Sequence, residues 1–328
     1  MSSSELAFIK GVASLAAAPV PGLVMGIGDD CAVLRKNEEQ VLLVTTDTLV
    51  SGVHFDLQWH PLHLLGRKAA AVNLSDIAAM GGRPTFALLS AALSPDLSEQ
   101  GLQEFINGFV EMLQEHDVAL IGGDTVTAPC PTFTITLLGE MAGAEVCYRA
   151  AARQGDEVWV SGFLGEAAAG LALCQGGAAV PAEFAGLVQA HLNPQPRLSL
   201  GRFLAASGHV HAMMDLSDGL ATDLAHICTA SGLAAEVDGR YLPLSAATQR
   251  AGESLSHDAR QWALSGGEDY ELLYTVAPGR GEALARQIRE ELHLQTSCLG
   301  RMTGGQGLFL MEDGKKRLIS YQGYEHHL

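Results

Sequence analysis

Aspartates recur along this chain where apolar runs stop. The segment VLLVTTDT contains Asp47, VALIGGDT contains Asp124, HVHAMMDLSDG contains Asp215 and Asp218, and GIGDD ends in Asp30. Two like charges about 4 Å apart repel by roughly 4 kcal/mol at an effective dielectric constant near 20, so a fold that gathers these carboxylates needs counter-charges. Hard oxygen ligands of this kind suit Mg²⁺, and Mg²⁺ usually brings a phosphate with it.

The neighbours of these aspartates point the same way. Thr45 and Thr46 precede Asp47, so hydroxyl or carbonyl oxygens lie beside a carboxylate, as in a Mg²⁺ site. Asp76 lies in a predicted helix of small residues, where aspartate has a poor propensity, and Asn73 shares its face three positions earlier. The pair Asp29-Asp30 alone is better explained as a turn or cap, and any one of these aspartates alone is ambiguous. Their repetition favours a metal–phosphate site.

Glycine-flanked segments offer further candidate positions. In Gly122-Gly123-Asp124, backbone N–H groups could approach an anion while the carboxylate holds a cation. The run DLSDG before a predicted helix could cap that helix or present its N-terminus to a phosphate. The segment SGGEDY contains Glu268 between a glycine pair and a predicted strand, which fits a plain connecting loop or a loop that faces a substrate.

Apolar alternation and helical spacing predict an α/β protein of two domains. Residues 1–145 are predicted as β-α-β-α-β-β, an α/β sandwich with one sheet, and residues 146–328 as a second α/β domain. In the first domain a β-branched strand at 41–50 precedes a helix at 61–80, and a short strand at 118–121 stops before GGDT. The acidic residues are therefore expected mainly at junctions between strands and loops.

Composition excludes several classes of function. The 328 residues suffice for two domains, and the net charge of −17, from 20 Lys+Arg against 37 Asp+Glu, argues against a nucleic-acid partner. No uninterrupted apolar run approaches the roughly 18 residues of a membrane span. The six cysteines form no CxxC pair, which argues against structural zinc and for a reducing compartment, so a cytoplasmic protein is expected. P-loop and HExxH motifs are absent.

Seven segments resemble, in order along the whole chain, the motifs of the thiamine-monophosphate kinase family, which belongs to the superfamily of aminoimidazole ribonucleotide synthetase. They are GIGDDCAV (26–33), TTDTLVSGVHF (45–55), KAAAVNLSDIAAMGGRP (68–84), GGDT (122–125), MDLSDGLATDL (214–224), SGGEDYELLYTV (265–276) and GYEHH (323–327). The resemblance implies transfer of the ATP γ-phosphoryl group to thiamine monophosphate. It also implies a homodimer in which the N-terminal sheets of two subunits pair into a shared barrel.

The resemblance also implies roles for individual residues. The implied Mg²⁺ ligands, some acting through bound ATP, are Asp30, Thr45, Thr46, Asp47, Asp76, Asp124, Asp215 and Asp218. The implied nucleotide contacts are Gly123, Asp124, Arg149 and Ser217. The implied contacts to thiamine phosphate are His54, Glu268 and Tyr324, and Tyr324 stands where a Trp or Phe is common. A monovalent cation remains open as an additional activator.

The chemistry of such a reaction needs no covalent residue. A phosphate monoester is already ionised near neutral pH, so positioning and charge neutralisation carry the catalysis, and direct in-line transfer is expected. Three alternatives remain open: another ATP-dependent activating enzyme of the superfamily, a metal-dependent phosphohydrolase that uses water, and a nucleotide-binding regulatory protein.

Overall fold

The computed structural model describes residues 5–16, 20–177, 179–312, 314–321 and 323. Its helices are α1 (Glu5–Leu15), α2 (Leu62–Ala79), α3 (Glu99–Glu115), α4 (Glu166–Gln175), α5 (Ala185–Leu192), α6 (Leu198–Ala206), α7 (Leu220–Ser231), α8 (Ala246–Leu255), α9 (Ala259–Ser265) and α10 (Gly281–Leu292). Its strands are β1 (Leu23–Met25), β2 (Ala32–Arg35), β3 (Gln40–Val50), β4 (Arg83–Leu93), β5 (Ala119–Thr127), β6 (Thr132–Ala142), β7 (Glu157–Ser161), β8 (Val210–Asp215), β9 (Ala234–Asp238), β10 (Leu272–Val276), β11 (Thr296–Thr303), β12 (Gly307–Glu312) and β13 (Lys315–Leu318).

The strands form two mixed sheets, as expected for an α/β protein. The first has the order β1-β2-β3-β6-β4-β5 and is antiparallel except for the parallel pair β4 and β5. The second has the order β13-β12-β9-β11-β7-β10-β8 and is antiparallel except for β9 and β12. The boundary between residues 145 and 146 stays a prediction. None of the described helices is long and apolar enough to cross a membrane.

Helix α2 is buried on nearly every side and forms the centre of the molecule. A Cβ atom on Gly66 would lie 2.0 Å from the carbonyl oxygen of Phe105 in α3, and one on Gly201 in α6 would lie 2.1 Å from that of Ala78. Only glycine permits these close helix contacts. The apolar core around α2 continues to Met213 of β8, so α2 fixes the first sheet relative to the second.

Two of the expected junctions lie inside strands. Strand β3 continues past Asp47 to Val50, paired with β6 along its whole length. Strand β5 does not stop at 121 but runs through GGDT, because its backbone pairs in parallel with β4 as far as Thr127. The two glycines therefore lie within a paired strand. The predicted helix at 61–80 is confirmed by α2, whereas the predicted order of the first domain omitted α1, β1 and β2.

Candidate active site

Three aspartates from distant parts of the chain converge at one point. Asp30 precedes β2, Asp76 lies in the last turns of α2, and Asp215 ends β8. One carboxylate oxygen of each lies within 4.8 Å of the corresponding oxygens of the other two. Because these residues come from both sheets and from the central helix, the acidic cluster lies where the two halves of the fold meet.

Hydroxyl groups orient two of these carboxylates. Thr45 of β3 donates a hydrogen bond from Oγ1 to Oδ2 of Asp76. Ser75 Oγ donates to Oδ2 of Asp215 at 2.6 Å. Each acid therefore keeps a second carboxylate oxygen that its supporting hydroxyl does not use.

The alternation of β3 separates the other predicted ligands of this strand. Asp47 lies on the side of α2, where its backbone N–H donates to Oδ1 of Asn73 at 3.2 Å. Thr46 points to the opposite face, because its Oγ1 donates to the carbonyl oxygen of Ile135 at 2.9 Å and lies 3.3 Å from Oγ1 of Thr136. The side chain of Thr46 therefore does not face the acidic cluster.

The electrostatics of the cluster call for additional positive charge. Burial and, after it, the nearby charge of Asp30 raise the pKa of Asp215 to about 8. Burial and the charge of Asp47 raise the pKa of Asp76 well above its usual range. Oδ2 of Asp30 is buried and has no hydrogen-bond partner among the described residues. Either protons or cations must neutralise these carboxylates.

Arg149 supplies part of that charge. Its backbone N–H donates to Asp29 Oδ2 at 3.1 Å, its Nε lies 3.2 Å from Asp29 Oδ1, and its Nη2 pairs with Asp30 Oδ1. Burial and the charge of Asp30 raise the pKa of Asp29 to about 6, although Arg149 opposes that shift. Asp29 thus anchors the arginine, a role that the sequence did not reveal.

A cavity of about 470 Å³ begins at the acidic cluster. Its described lining includes the carboxylates of Asp47, Asp76, Asp215 and Asp218 together with His54 and Ser217, and continues to Trp59, Val72, Leu171, Gln175, His191, Glu268 and Tyr270. One end is therefore acidic. The other, the neutral end, has ring systems and apolar or amide side chains around the carboxylate of Glu268. Tyr324, a predicted substrate contact, lies outside the described residues.

The turn before α7 is capped from within the helix. The N–H groups of Asp218 and Gly219 donate to Oδ2 of Asp223 at 3.2 and 3.0 Å. Gly219 has φ +104°, a conformation that favours glycine. Asp223 therefore satisfies N–H groups that a phosphate at this helix end would use. This cap could have been anticipated only from an aspartate within the first turn.

Gly123 and Asp124 are not brought to the cluster within one chain. β5 lies three strands from β3, a separation of roughly 14 Å at normal strand spacing. Asp124 is in register with Ser90, Thr134 and Thr48, on the face that points away from α2. All nine residues of β5 are exposed at the edge of the sheet.

The neutral end contains two charged or polar partners that sequence reasoning missed. Lys68 Nζ lies 2.7 Å from Oε1 of Glu268, and Nδ1 of His191 lies 2.9 Å from its Oε2. Burial opposes ionisation of Glu268, but Lys68 and then His191 lower its pKa to about 2. Lys68 could have been noticed in the sequence as the one lysine of the buried helix α2, whereas no sequence feature singled out His191.

Comparisons with known proteins cover almost the whole chain. Residues 28–141 match the AIR synthase related protein N-terminal domain, and residues 153–312 match the corresponding C-terminal domain. Thiamine-monophosphate kinase of Escherichia coli (strain K12) is 40% identical over 307 residues, which cover 92% of this chain and 91% of that protein.

Two solved structures are similar over their full length. The structure of AaThiL complexed with AMPPCP and TMP has a TM-score of 0.85 and 32% identity and covers 98% of this chain and 97% of that one. The crystal structure of thiamine-monophosphate kinase from Stenotrophomonas maltophilia K279a has a TM-score of 0.78 and 40% identity, with coverage of 97% and 99%.

Proposed function

The chain belongs to the thiamine-monophosphate kinase family of AIR synthase related proteins, and we propose that it transfers the γ-phosphoryl group of ATP to thiamine monophosphate, forming thiamine diphosphate and ADP. The observation that carries this proposal is the cavity with an acidic cluster at one end and ring-lined walls at the other. The acidic end suits two phosphate groups with their cations, and the ring-lined end suits a flat heterocycle. The AMPPCP and TMP bound in a relative support this assignment.

Mg²⁺ fits the donor set of the acidic end. Two features of this end are typical of a cation site. One oxygen of Asp30 has no hydrogen-bond partner among the described residues, and the pKa values of Asp76 and Asp215 are raised. Asp30, Asp47, Asp76 and Asp215 would hold the ions, with Thr45 orienting Asp76. Bound Mg²⁺ would neutralise the phosphate groups that must approach each other.

The remaining chemistry consists of positioning. His54 accepts a hydrogen bond at Nδ1 from the N–H of Val50 at 3.1 Å, so the neutral ring carries its proton on Nε2 and can donate it to a phosphate oxygen. An ionised acceptor phosphate needs no general base, so we infer a direct in-line transfer without a phosphorylated protein intermediate. The predicted ligand Asp218 would act at the mouth of the cavity beside Ser217.

Arg149 retains the capacity to contact the nucleotide. A guanidinium has five N–H donors, and the pairs with Asp29 and Asp30 use only some of them. Ser217 lines the cavity and is held in place, because its carbonyl oxygen accepts a hydrogen bond from the N–H of Glu268 at 2.8 Å. Both residues therefore suit contacts to phosphate oxygens, with Arg149 linking the nucleotide to the acidic cluster.

A homodimer would complete the nucleotide site. The open face and edge of the first sheet expose Phe86, Ile121 and Val126 by 46%, 57% and 53%. An exposed nine-residue edge strand with apolar side chains is a ready template for pairing. We infer that a second copy covers this face in a shared barrel. Gly123 and Asp124 would then serve the acidic cluster of the partner.

The proposal on cellular location rests on cysteine chemistry. All six cysteines are free thiols, and three of them are buried. Free thiols in this number fit a reducing compartment, so we infer a cytoplasmic enzyme. A monovalent cation as activator stays a prediction.

Direct chromatography of nucleotides and thiamine phosphates tests the function. With ATP, Mg²⁺ and thiamine monophosphate, ADP and thiamine diphosphate should form in equal amounts. Omission of thiamine monophosphate, its replacement by thiamine, or addition of EDTA should each stop ADP formation. ADP release without the acceptor would identify a phosphohydrolase instead. Absence of labelled protein after rapid mixing with γ-labelled ATP would support direct transfer.

A further inference from the structure

One face of α2 connects both ends of the cavity. Lys68, Val72 and Asp76 follow each other at intervals of four residues, so they lie along the same side of the helix. Val72 and Asp76 line the cavity, and Lys68 lies two turns away, roughly 12 Å along the helix axis. A rigid helix thus sets the spacing between the acidic cluster and the ammonium group at the opposite end.

Lys68 is completely buried, and its charge is directed at Glu268. The ammonium lies 2.7 Å from Oε1 of Glu268, and Nδ1 of His191 lies 2.9 Å from Oε2. Burial and the charge of Lys68 lower the pKa of His191, which favours the neutral ring at this contact. Each carboxylate oxygen thus has one close polar contact and keeps capacity to accept a hydrogen bond from the cavity, which Glu268 lines.

The arrangement changes what Glu268 can recognise. The negative charge of Glu268 is cancelled by a cation at contact distance, so the pair presents little net charge to a ligand. The carboxylate nevertheless stays ionised, because Lys68 and His191 outweigh the effect of burial. Such a group is a strong and oriented hydrogen-bond acceptor rather than a binding site for a cation.

Resting on the proposed function, we propose that Lys68 is a positioning residue for the acceptor: with His191 it fixes both oxygens of Glu268, which then accepts a hydrogen bond from the amino group on the pyrimidine ring of thiamine monophosphate. The phosphate of the same molecule reaches the acidic cluster at the other end of α2. Lys68 thereby contributes to the choice of substrate without touching it. A merely structural lysine would affect folding and both substrates alike.

The test is a double-mutant cycle of Lys68→Met and Glu268→Gln with four readouts: KM for thiamine monophosphate, KM for ATP, kcat and Tm. K68M is expected to raise KM for thiamine monophosphate about tenfold and leave KM for ATP within about twofold. It should also reduce discrimination against the analogue that carries oxygen in place of the amino group. In the E268Q background, K68M should raise KM for thiamine monophosphate by less than about a further twofold, because the carboxylate that Lys68 contacts is already absent. Lys316→Met, which breaks a surface ion pair with Glu236 in the second sheet, is the matched control and should change nothing.

Additive effects of K68M and E268Q, or an equal rise of both KM values, would overturn the proposal. If K68M does not fold, His191→Leu and His191→Asn carry the comparison instead, since only asparagine keeps an N–H at the position of Nδ1, which faces Glu268. Equal KM values for thiamine monophosphate in these two variants would also overturn the proposal. Failure of the proposed function is a separate result, because wild-type protein would then form no thiamine diphosphate. In that case calorimetric titration of thiamine monophosphate into wild type and K68M still decides the role of Lys68.

Discussion

The two ends of the cavity contain buried carboxylates that are neutralised in opposite ways. At the acidic end, Asp30, Asp76 and Asp215 crowd together, and Arg149 pairs with only one of these three. At the other end, Glu268 has a lysine on one oxygen and a histidine on the other. The first group has less positive charge than its carboxylates require, whereas the charge of Glu268 is already balanced by Lys68.

This difference indicates where reaction chemistry and recognition are divided. A deficit of positive charge makes the acidic end depend on cations that arrive with the nucleotide, so changes there should act on turnover. A self-neutralised end can only orient a substrate, so changes there should act on KM. Both groups are attached to α2, whose close contacts with α3 and α6 prevent the two ends from shifting independently.

The largest effect is expected at the acidic end. Asp76→Asn should lower kcat roughly 1000-fold, since loss of about 4 kcal/mol of charge stabilisation corresponds to that factor. Removing one of three mutually repelling carboxylates should leave the Tm measured in EDTA equal to that of wild type or higher. Addition of Mg²⁺ should raise Tm in wild type more than in the variant.

Asp117→Asn is the matched control, because Asp117 is exposed, far along the chain from the cluster, and has a φ of 57° that asparagine tolerates. It should keep wild-type kcat and the full response of Tm to Mg²⁺. A D76N variant with kcat within tenfold of wild type would remove Asp76 from the metal site.

The second largest effect is expected at the edge of the first sheet, which belongs to neither end of the cavity. Asp124→Asn should lower kcat/KM for ATP by about 100-fold without changing the dimer, since the residue acts on a charged ligand. If Asp124 serves the partner subunit, mixing inactive D124N and D76N proteins should restore about one quarter of the sites, because half of the dimers are mixed and each mixed dimer has one intact site. Sedimentation and activity after exchange of subunits measure this. No recovery despite verified exchange would place Asp124 in its own subunit's site.

Asp30, Asp76 and Asp215 were all candidates from the sequence, and the structure brings them together. Their positions after glycines, after an apolar run or inside a helix of small residues singled them out, while their role as metal ligands stays a prediction. Helix α2 could be predicted from its spacing, and its aspartate was noticed because mid-helix aspartate is unusual. The orientation of the Thr46 side chain could not be predicted, because it depends on the register between β3 and β6.

The neutral end could not be predicted in the same way. Lys68 shares a helical face with Asp76, so half of the ion pair was accessible from spacing, but its partner comes from a loop 200 positions later. In that loop Glu268 and Tyr270 have φ angles of 59° and 48°. No sequence pattern predicts this left-handed conformation for a glutamate or a tyrosine. His191 depends on the packing of α5, a helix without a clear sequence signal.

A pH profile sharpens the contrast between the ends. The pKa of Glu268 falls from 4.5 to about 2, because Lys68 and His191 outweigh burial. Its ionised form therefore contributes fully above pH 4.5 and is lost only as pH falls toward 2. In Lys68→Met, burial is opposed less, so the pKa rises. At pH 8, KM for thiamine monophosphate should be about tenfold higher in the variant than in wild type. At pH 5 this ratio should be several-fold larger still. A constant ratio would contradict the role of the ion pair.

The smallest effect is expected at Trp59, which lines the neutral end and packs its ring 5.5 Å from that of His191. Its π-face suits the cationic thiazolium ring, which the neutral Lys68–Glu268 pair does not attract. Trp59→Leu should raise KM for thiamine monophosphate about threefold, equivalent to roughly 0.6 kcal/mol for an exposed cation–π contact, while kcat stays unchanged. Trp59→Phe should restore most of the loss, because it keeps an aromatic face. A fall in kcat with unchanged KM would show that the division between turnover and recognition does not follow the two ends of the cavity.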